Sequence, residues 1–507
     1  HEVAAEIVAL VARYEGVNSS EHGDGLARSE FNPVVFGAPL YAAMREVKRL
    51  FDPEGRLNPG KIVDAPAMTE HLRDPALPPA GRLVTGLRFA EGSMRDAADR
   101  CMNIGACRKT DAGVMCPSYM ATREEQHATR GRANALVKAL STPDPRSALG
   151  DERLHEIMDL CLECKACKRE CPLSVDMASL KSEFLAQYQQ IHGIPLRSRV
   201  FGAIRRLNRV GSATAPLSNL PGKLGPVRRV LDARLGIARE RPLPRFERET
   251  LMRWFARRPT STRTCPRGEV VFLADSFTSY TEPEVGRACI ELLEAAGWRV
   301  TLESRGCCGR ASLSKGLLDP ARAMAAALVG HLEPYVARGI PIVGCEPSCV
   351  STLRDDYASL LPDDPIATRI GGQVQLFSEL LTEAIDDGPL RLDPVALAGR
   401  HIVLHTHCHE KALGLAGATR ELLERIPGAT VEELDAGCCG MAGSFGFESE
   451  HYELSMQIGA LRLFPRLEAA GADVLVAATG VSCRQQIAHG TSRQARHPAV
   501  LVRDALA

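Results

Sequence analysis

Residues 161–172 read CLECKACKRECP, and they place four cysteines at short, fixed intervals. Cys161, Cys164 and Cys167 lie three positions apart, and Cys171 stands directly before a proline. This spacing is typical of the thiolate ligands of iron–sulfur clusters. Zinc sites also use paired cysteines, but they rarely use three evenly spaced thiols followed by Cys-Pro. The stretch therefore favours an iron–sulfur centre over a zinc site.

A second array lies upstream, where residues 101–119 read CMNIGACRKTDAGVMCPSY. The two arrays together resemble the two-cluster bacterial ferredoxins, in which the fourth cysteine of each run ligates the other cluster. The resemblance implies that Cys116 completes a four-thiolate [4Fe-4S] set with the first three cysteines of the 161–172 run. It likewise implies that Cys171 joins Cys101 and Cys107.

Ile104 occupies the position of the missing fourth ligand in that second set. A cluster held by three thiolates either loses one iron to become [3Fe-4S] or keeps a labile iron, and its reduction potential is generally raised. An apolar residue here resembles the CxxIxxC variant in the iron–sulfur subunits of quinone-linked succinate dehydrogenases. The gap of eight residues between Cys107 and Cys116 departs from the simple motif, so the loop geometry and the cluster type stay open.

The composition fits a large redox protein. The chain has 507 residues, of which 45% are hydrophobic and 24% charged, so we expect several globular domains. Fifteen of its 17 cysteines fall into short arrays, and only Cys265 and Cys289 lie outside them. Such clustering favours metal sites in a reducing compartment over disulfides. No apolar run is long enough to span a bilayer and no signal segment opens the chain, although its start at a histidine within a helical pattern leads us to expect upstream sequence.

The charge is balanced overall but concentrated locally. Residues 181–267 contain 19 Lys and Arg against 5 Asp and Glu, in a stretch rich in Gly and Pro. We interpret it mainly as an irregular connector whose arginines are solvated or pair with the flanking domains. The alternative is a basic surface for anionic lipid or an acidic partner. No recognised nucleic-acid module accompanies the charge, so we expect no nucleic-acid partner.

The second half of the chain contains an internal repeat. VVFLADSFTSY at 270–280 and HIVLHTHCHEKAL at 401–413 each begin with a short apolar strand, and each leads to a Cys-Cys-Gly triplet. Superposing the triplets at 307–309 and 438–440 also carries Phe277 onto Cys408. Aligning the last cysteines, Cys349 and Cys483, puts Cys345 opposite Thr479. Alternation of strands and helices predicts two related α/β units with cysteines at the strand ends.

These units resemble the duplicated CCG domain of heterodisulfide reductases and of iron–sulfur subunits of glycolate, glycerol-3-phosphate and lactate oxidoreductases. The five-cysteine pattern of that family is incomplete in both copies, but four cysteines remain in each. The resemblance implies one ordinary four-iron cluster per copy, with zinc in at least one copy as the alternative. We interpret the neighbouring His405, His407 and His409 as packing or hydrogen-bonding residues; the alternative is that they also bind metal. The implied ligands are Cys307, Cys308, Cys345 and Cys349 in the first copy, and Cys408, Cys438, Cys439 and Cys483 in the second.

The beginning of the chain carries two glycine-rich turns. SSEHGDGLARSEF at 19–31 and FDPEGRLNPGKIV at 51–63 resemble the C-terminal end of FAD-linked oxidases of the D-lactate and D-2-hydroxyglutarate dehydrogenase type. The resemblance implies that Glu21 helps to coordinate a divalent metal at the substrate and that His22 is the base or a substrate contact. It further implies that Asn58, Pro59, Gly60 and Lys61 lie against FAD. An upstream region would make most of the contacts with the FAD molecule.

These resemblances predict a multidomain α+β and α/β protein. The expected parts are the tail of an FAD-linked oxidase C-terminal domain (1–64), a mainly helical two-cluster ferredoxin domain (85–190), a basic linker (191–265) and two CCG repeats (266–385 and 395–505). This order resembles bacterial FAD and iron–sulfur D-2-hydroxyacid dehydrogenases.

The implied function is oxidation of a D-2-hydroxyacid to the 2-oxoacid. The implied substrates include D-2-hydroxyglutarate, D-lactate and glycolate, and electrons would pass through the clusters to a quinone, a cytochrome or another carrier. The alternative is a non-catalytic electron-transfer subunit that docks on a separate flavoprotein. We expect a cytoplasmic protein, with the basic linker as a candidate peripheral contact on the inner face of the membrane.

Overall fold

The computed structural model describes residues 1–19, 21–70, 83–258, 266–388 and 390–507, so Ser20 and Cys265 lie outside the described residues. The chain divides into two compact units, His1–Ala80 and Gly81–Ala507. The first unit contains the helices α1 (Glu2–Arg13), α2 (Gly25–Arg28) and α3 (Asn32–Phe51). Gly37, at φ 74°, and Pro39 interrupt α3, because neither residue fits the interior of a regular helix.

The larger unit opens with a helical region that contains both ferredoxin-type cysteine arrays. Short helices alternate with turns here, as expected for a chain that must wrap its thiols around small sites. Side chains of Ser93, Asp144, Asp151 and Asp176 accept hydrogen bonds from the first turns of α4, α7, α8 and α10 and so fix where these helices begin. The helices are α4 (Met94–Asp99), α5 (Pro117–Thr122), α6 (Thr129–Leu140), α7 (Pro145–Ala148), α8 (Glu152–Asp159), α9 (Ala166–Glu170) and α10 (Met177–His192).

The connector that follows is also helical rather than irregular. Its helices are α11 (Leu196–Gly202), α12 (Ile204–Ala213), α13 (Gly225–Leu235) and α14 (Leu251–Arg257). The expectation of an irregular connector is therefore wrong for much of this segment. The helical spacing of the apolar residues was not recognised in the sequence, because exposed positions of these short helices carry both apolar and basic side chains.

The first CCG repeat is an α/β unit around a four-stranded parallel sheet with strand order β2-β1-β3-β4. Val270 to Leu273 are all buried, as expected for a central parallel strand covered on both faces. A π-helical turn, Thr352–Asp356, separates two of its helices. The elements are β1 (Glu269–Leu273), α15 (Ser276–Tyr280), α16 (Pro283–Ala295), β2 (Arg299–Glu303), α17 (Arg310–Leu313), α18 (Leu318–Ala337), β3 (Ile342–Gly344), α19 (Pro347–Ser351), α20 (Tyr357–Leu360), α21 (Pro365–Gln373), β4 (Val374–Leu376) and α22 (Phe377–Asp386).

The second CCG repeat has the equivalent parallel sheet, with strand order β6-β5-β7-β8. The predicted internal duplication therefore appears in the topology as well as in the spacing of the cysteines. The elements are β5 (His401–His405), α23 (Cys408–Ala412), α24 (Ala416–Glu424), β6 (Thr430–Glu433), α25 (Tyr452–Ala469), β7 (Leu475–Ala478), α26 (Val481–Gly490), β8 (Ala495–Arg496) and α27 (Pro498–Asp504).

The two repeats share one hydrophobic core. Ile290 of α16 and Phe377 of α22, from the first repeat, belong to the same buried cluster as Leu404, Leu422 and Leu501 from the second. Burial of each such side chain contributes roughly 1.5–3 kcal/mol to the stability of the fold. The two repeats therefore behave as one packed body. Among the described residues, no helix has the length and apolar character needed to cross a membrane. The predicted class, mixed α+β and α/β with a duplicated parallel-sheet domain, is confirmed.

Candidate functional site

Four thiols from the two ferredoxin-type arrays surround one small cavity. The cavity, of about 20 Å³, is lined by Cys116, Cys161, Cys164 and Cys167. No disulfide joins these cysteines, and burial raises the pKa of the Cys116 thiol to about 11. A set of four free thiols around one space fits an iron–sulfur cluster, whose binding would require the thiols to lose their protons. The structure thus brings together the four residues that the ferredoxin resemblance implied.

The amino end of α6 donates backbone hydrogen bonds to two of the thiols. The Thr129 N–H lies 3.1 Å from the Cys116 sulfur, and the Arg130 N–H lies 3.4 Å from the Cys107 sulfur. The Thr129 hydroxyl is 2.9 Å from the Cys116 sulfur. The first N–H groups of a helix have no partner within the helix, so they are free to bond a thiolate and favour its negative charge. Sequence reasoning missed these residues, because a backbone donor has no side-chain signature.

The second, three-thiol set is less closely assembled. Burial is the main cause that raises the pKa of the Cys107 thiol, and Cys101 adds to it. Cys171 is half-buried and packs against the hydrophobic cluster that contains both of these residues. Ile104 is 61% exposed. The structure therefore places the three cysteines in one region, with an apolar residue at the surface where a fourth ligand would stand.

The long loop between Cys107 and Cys116 is fixed from two sides. The Glu170 carboxylate accepts hydrogen bonds from the Val114 N–H at 2.7 Å and the Met115 N–H at 3.3 Å. The Arg462 side chain in α25 donates to the carbonyls of Asp111 and Gly113. The eight-residue segment between Cys107 and Cys116 is therefore held in place and contacts the second repeat.

In the second repeat, all four predicted cysteines lie together. The Cys438 thiol contacts Cys408 and Cys439, and Cys439 in turn contacts Cys483. Ligand atoms of His405, Cys439 and Cys483 lie within 4.8 Å of one another, and the buried His405 Nδ1 has no hydrogen-bond partner among the described residues. The sequence interpretation favoured packing or hydrogen bonding over metal binding for His405, whereas its position allows it to contact a bound metal.

In the first repeat, the structure separates one predicted ligand from the rest. The Cys308 and Cys349 sulfurs are 3.2 Å apart, and Cys307 contacts Cys308. Cys345, which is buried, instead contacts Cys289 on α16. The structure thus groups three of the four thiols, because the side chain of Cys345 at the end of β3 points into the sheet-helix core.

His407 and His409 make hydrogen bonds near the second thiol set. His407 Nδ1 accepts from the His409 N–H at 3.1 Å, and His409 Nε2 donates to the Glu163 carbonyl at 3.0 Å. These bonds fit the hydrogen-bonding role expected for the two histidines. The second bond also joins the second repeat to the loop that carries Cys161 and Cys164.

The first repeat binds the same loop through buried charges. The Lys165 ammonium, 2% exposed, lies 2.8 Å from Asp355 and 2.6 Å from Asp356. The Arg310 guanidinium lies 2.9 Å from Glu163. The Cys164 thiol also lies near Cys408 of the second repeat, and this proximity contributes to the raised pKa of Cys164 after burial itself. The loop 161–170 is thus clamped between both repeats, with its thiol set next to that of the second.

A cavity of about 870 Å³ opens between the ferredoxin-type region, the connector and both repeats. Its wall includes Cys307, Cys308, Cys349 and Cys408, together with apolar side chains such as Leu162, Val200, Phe201, Leu231, Phe277 and Phe445. His451 also lies on the wall, with its ring stacked on Phe445 at a centroid distance of 4.2 Å. The thiol sites of the two repeats therefore meet a large, mostly apolar space.

His451 is held between two carboxylates. Its Nε2 is 2.7 Å from Asp159 and its Nδ1 is 3.1 Å from Glu448. Burial alone would lower the pKa of His451, but the hydrogen bonds and charges of the two carboxylates raise it above its ordinary value. Glu448 also pairs with Lys315. Burial acts to raise the pKa of Glu448, but these partners outweigh it and lower the pKa to about 2.

In the first unit, a buried asparagine joins the two glycine-rich turns. The Asn32 amide donates to the Asp24 carboxylate and to the Ile62 carbonyl, each at 3.0 Å, and the Ile62 N–H donates to the Ser29 hydroxyl at 3.0 Å. The structure thus brings the EHGDG and NPGK segments together through residues that sequence reasoning missed. The candidate metal ligand Glu21 and the candidate base His22 are exposed, as are Asn58, Pro59 and Lys61, while Gly60 is half-buried at φ 69°.

Three family models match the chain in order. "FAD linked oxidases, C-terminal domain" matches residues 1–62, "4Fe-4S dicluster domain" matches 96–175, and "Cysteine-rich domain" matches 273–354 and 402–488. These ranges contain nearly all of the two joined turns, the two ferredoxin-type thiol sets and the thiol sets of the two α/β repeats, respectively.

Similar proteins fall into two groups. A D-2-hydroxyglutarate dehydrogenase of Pantoea ananatis (strain AJ13355) is 28% identical over 98% of this chain and 52% of its own length. One subunit of the anaerobic glycerol-3-phosphate dehydrogenase of Escherichia coli (strain K12) is 36% identical over 62% of this chain and 78% of its own length. Lactate utilization protein A of Halalkalibacterium halodurans is 30% identical over 41% of this chain and 82% of its own length. The chain thus spans about half the length of the dehydrogenase but most of the two shorter proteins.

Proposed function

Because this chain belongs to the family of proteins with dicluster and cysteine-rich domains that includes a subunit of anaerobic glycerol-3-phosphate dehydrogenase, we propose that it carries electrons from a flavin-linked oxidation of a D-2-hydroxyacid. The observation that carries this proposal is the succession of thiol sets: Cys164 of the four-thiol set lies next to Cys408 of the second repeat. Iron–sulfur clusters bound at these thiols would supply one-electron carriers in close succession.

D-2-hydroxyglutarate is the substrate that the comparisons favour over D-lactate and glycolate. The dehydrogenase named for it matches 98% of the chain, whereas the match to the glycerol-3-phosphate dehydrogenase protein extends over 62%. In this proposal Glu21 helps to hold a divalent metal and His22 takes the proton of the substrate hydroxyl. FAD, when bound against residues 58–61, supplies the two-electron acceptor for the substrate.

The surface of the first unit supports a further domain at this site. Val3, Ile7 and Leu10 of α1 are exposed, and so are Leu50 and Phe51 at the end of α3, with Phe51 82% exposed. Apolar side chains concentrated on one small unit are typical of a protein–protein contact. We infer that an FAD-binding domain covers this surface in the functional assembly.

We propose that the electron acceptor is a quinone and that the connector binds the surface of the membrane that contains it. On α12, Arg206 and Arg209 are exposed beside Leu207 and Val210, and Leu217 beyond the helix is 70% exposed. Basic residues attract anionic headgroups while apolar side chains enter the interface. This arrangement supports peripheral binding on the cytoplasmic face.

The function is tested with the gene product that carries this chain, purified without oxygen. Addition of D-2-hydroxyglutarate is expected to bleach the flavin absorbance and then reduce the iron–sulfur centres, whereas the L-enantiomer is expected to do neither. His22→Asn is expected to slow flavin bleaching about 100-fold or more with unchanged FAD content, because only the proton acceptor is removed. Glu54→Gln, an exposed change in the same unit, serves as the control.

Two results would contradict the proposal. A protein with stoichiometric zinc and negligible acid-labile sulfide would exclude electron transfer through these thiols. A protein that contains clusters but no flavin, and that is reduced only by a separate flavoprotein, would establish the electron-transfer subunit instead.

A further inference from the structure

The two CCG repeats present equivalent sets of ligand positions. Superposing the Cys-Cys-Gly triplets pairs Phe277 with Cys408, while Cys349 corresponds to Cys483. In the second repeat all four positions are cysteines, and their thiols contact one another. In the first repeat only three are cysteines, since Phe277 stands in the fourth.

The extra cysteine of the first repeat does not replace the missing one. Cys345 contacts Cys289 in the core, away from the three grouped thiols. Its counterpart Thr479 is also bonded outside the thiol set: the Thr479 hydroxyl donates to the buried Glu410 carboxylate at 2.8 Å. Neither repeat therefore uses this position toward its thiol set.

The open position of the first repeat lies on the large cavity. Phe277 and all three grouped thiols, Cys307, Cys308 and Cys349, are on the wall of this space of about 870 Å³. In the described part of the second repeat, Cys408 is the one cysteine on that wall. A cluster at the first repeat would therefore be more accessible from the cavity than one at the second.

We propose that the first repeat holds an iron–sulfur cluster by Cys307, Cys308 and Cys349 alone, and that its remaining iron takes an exogenous, uncharged ligand from the cavity. This inference rests on the proposed electron-transfer function and names the place where the acceptor binds. The three thiolates would fix the cluster, and Phe277 would shape the space beside the open iron.

The lining of the cavity indicates the class of ligand. Three of the cations on the wall are paired with a carboxylate, namely Lys315 with Glu448, Arg310 with Glu163, and Arg197 with Glu450. Lys181 and Arg228 donate to backbone carbonyls instead. His451 lies between Asp159 and Glu448. The greater part of the wall is apolar, which favours an apolar molecule in this space. The geometry thus fits an uncharged, mostly apolar molecule with a carbonyl oxygen, such as the head group of a quinone.

The experiment detects the open iron directly. The full-length protein is reduced without oxygen, and ¹⁵N-imidazole is added as the probe ligand; pulsed electron paramagnetic resonance then measures ¹⁵N coupling to a cluster. All proteins carry Ile104→Cys, so that the other incomplete thiol set does not contribute. Phe277→Cys supplies the thiol found at Cys408, and Phe277→Leu is the matched control that alters the wall without supplying a ligand.

The ¹⁵N coupling is expected in the parent and in Phe277→Leu, and it is expected to disappear in Phe277→Cys. Cys345→Ala is expected to leave the coupling and the iron and sulfide contents unchanged; should that variant fail to fold, the two Phe277 variants decide the question. Decyl-ubiquinone is expected to suppress the coupling by displacing the probe.

Several outcomes would overturn the inference. Coupling that survives Phe277→Cys would place the open iron elsewhere, and loss of the cluster in Cys345→Ala would restore Cys345 as a ligand. Coupling that decyl-ubiquinone leaves intact would exclude a quinone as the ligand. A protein without acid-labile sulfide would instead refute the proposed function itself, whereas a protein with sulfide but no coupling would refute only this inference.

Discussion

At the scale of single residues, the most informative groups are buried charges whose partners come from distant parts of the chain. His451 in the second repeat joins Asp159 at the end of α8, and Lys165 joins the Asp355–Asp356 pair of the first repeat. Removing one member of a buried pair leaves an uncompensated charge, which costs more than the intact pair contributes. Such residues therefore hold the thiol-bearing segments in place.

We expect the contribution of His451 to stability to depend on pH. Its pKa is raised in the folded protein, so this contribution is fully present below about pH 6.5 and is lost as the pH rises through the folded value. Glu448, with a pKa lowered to about 2, contributes above about pH 4.5 and loses its contribution as the pH falls. The midpoint of thermal unfolding, measured from pH 4 to 9, is expected to fall above pH 6.5.

His451→Gln is expected to abolish that fall, since glutamine does not titrate. The half-exposed His401, which pairs with Glu432, provides the control: His401→Gln should retain the pH dependence of the parent. A parent whose midpoint rises between pH 6.5 and 8 through His451 would contradict the assignment of a doubly paired imidazolium.

Lys165→Met is expected to destabilise the protein by about 3–5 kcal/mol, because two carboxylates would lose the ammonium buried between them. Lys168→Met is the matched control: Lys168 shares Asp355 but is 39% exposed, so a much smaller effect is expected. Urea unfolding measures both. Equal effects would show that burial of the lysine is not what makes the contact strong.

At the scale of elements, the amino end of α6 connects the two ferredoxin-type thiol sets through backbone donors. Thr129→Val keeps the shape of the side chain but removes the hydroxyl beside Cys116. Loss of a hydrogen bond worth about 1 kcal/mol is expected to lower the reduction potential of that centre by about 40 mV. Redox titration measures the shift; Thr142→Val, near the other end of the same helix, is expected to leave the potential unchanged.

The crossing of ligands between the arrays gives a second prediction at this scale. Cys116→Ser is expected to remove most of the iron held with Cys161, Cys164 and Cys167, although Cys116 belongs to the other array in sequence. Cys101→Ser is expected to leave that centre intact and to affect the other set. Iron and sulfide analysis with electron paramagnetic resonance distinguishes the two; the reverse pattern would mean that each array binds its own cluster.

The sequence predicted the sites where ligand geometry is local and missed those set by packing. Cysteine spacing in 161–172 defines consecutive turns, so three thiols of the first set could be expected from the sequence, and the resemblance to two-cluster ferredoxins implied Cys116 as the fourth. Cys345 could not be separated from Cys349 in this way, because its direction depends on the contact with Cys289 on α16. Thr129 acts through a backbone N–H at the start of a helix, and Asn32 acts through an amide that reaches Asp24 and Ile62; neither leaves a pattern in the sequence.

At the scale of the whole molecule, the exposed basic and apolar residues of the connector are expected to produce salt-sensitive binding to membranes. Co-sedimentation with vesicles that contain anionic lipid should retain the protein at low salt and release it as the ionic strength rises. Leu207→Ser combined with Val210→Ser is expected to weaken binding several-fold. Glu432→Gln, on the exposed face of the second repeat, is the control; equal binding to neutral vesicles would exclude the basic surface as the cause.

The clamp on the loop 161–170 also has a consequence for the order of assembly in the cell. Lys165 and Glu163 are held by Asp355, Asp356 and Arg310, and the Glu163 carbonyl accepts from His409, all of which the ribosome makes long after the loop itself. The contacts that enclose the four thiols are therefore complete only after both repeats have left the ribosome and folded. Cluster insertion at this set is consequently expected to be a late, post-translational event. A chain truncated before His409 would keep Cys116, Cys161, Cys164 and Cys167 but would lack the contacts that the second repeat makes with this loop.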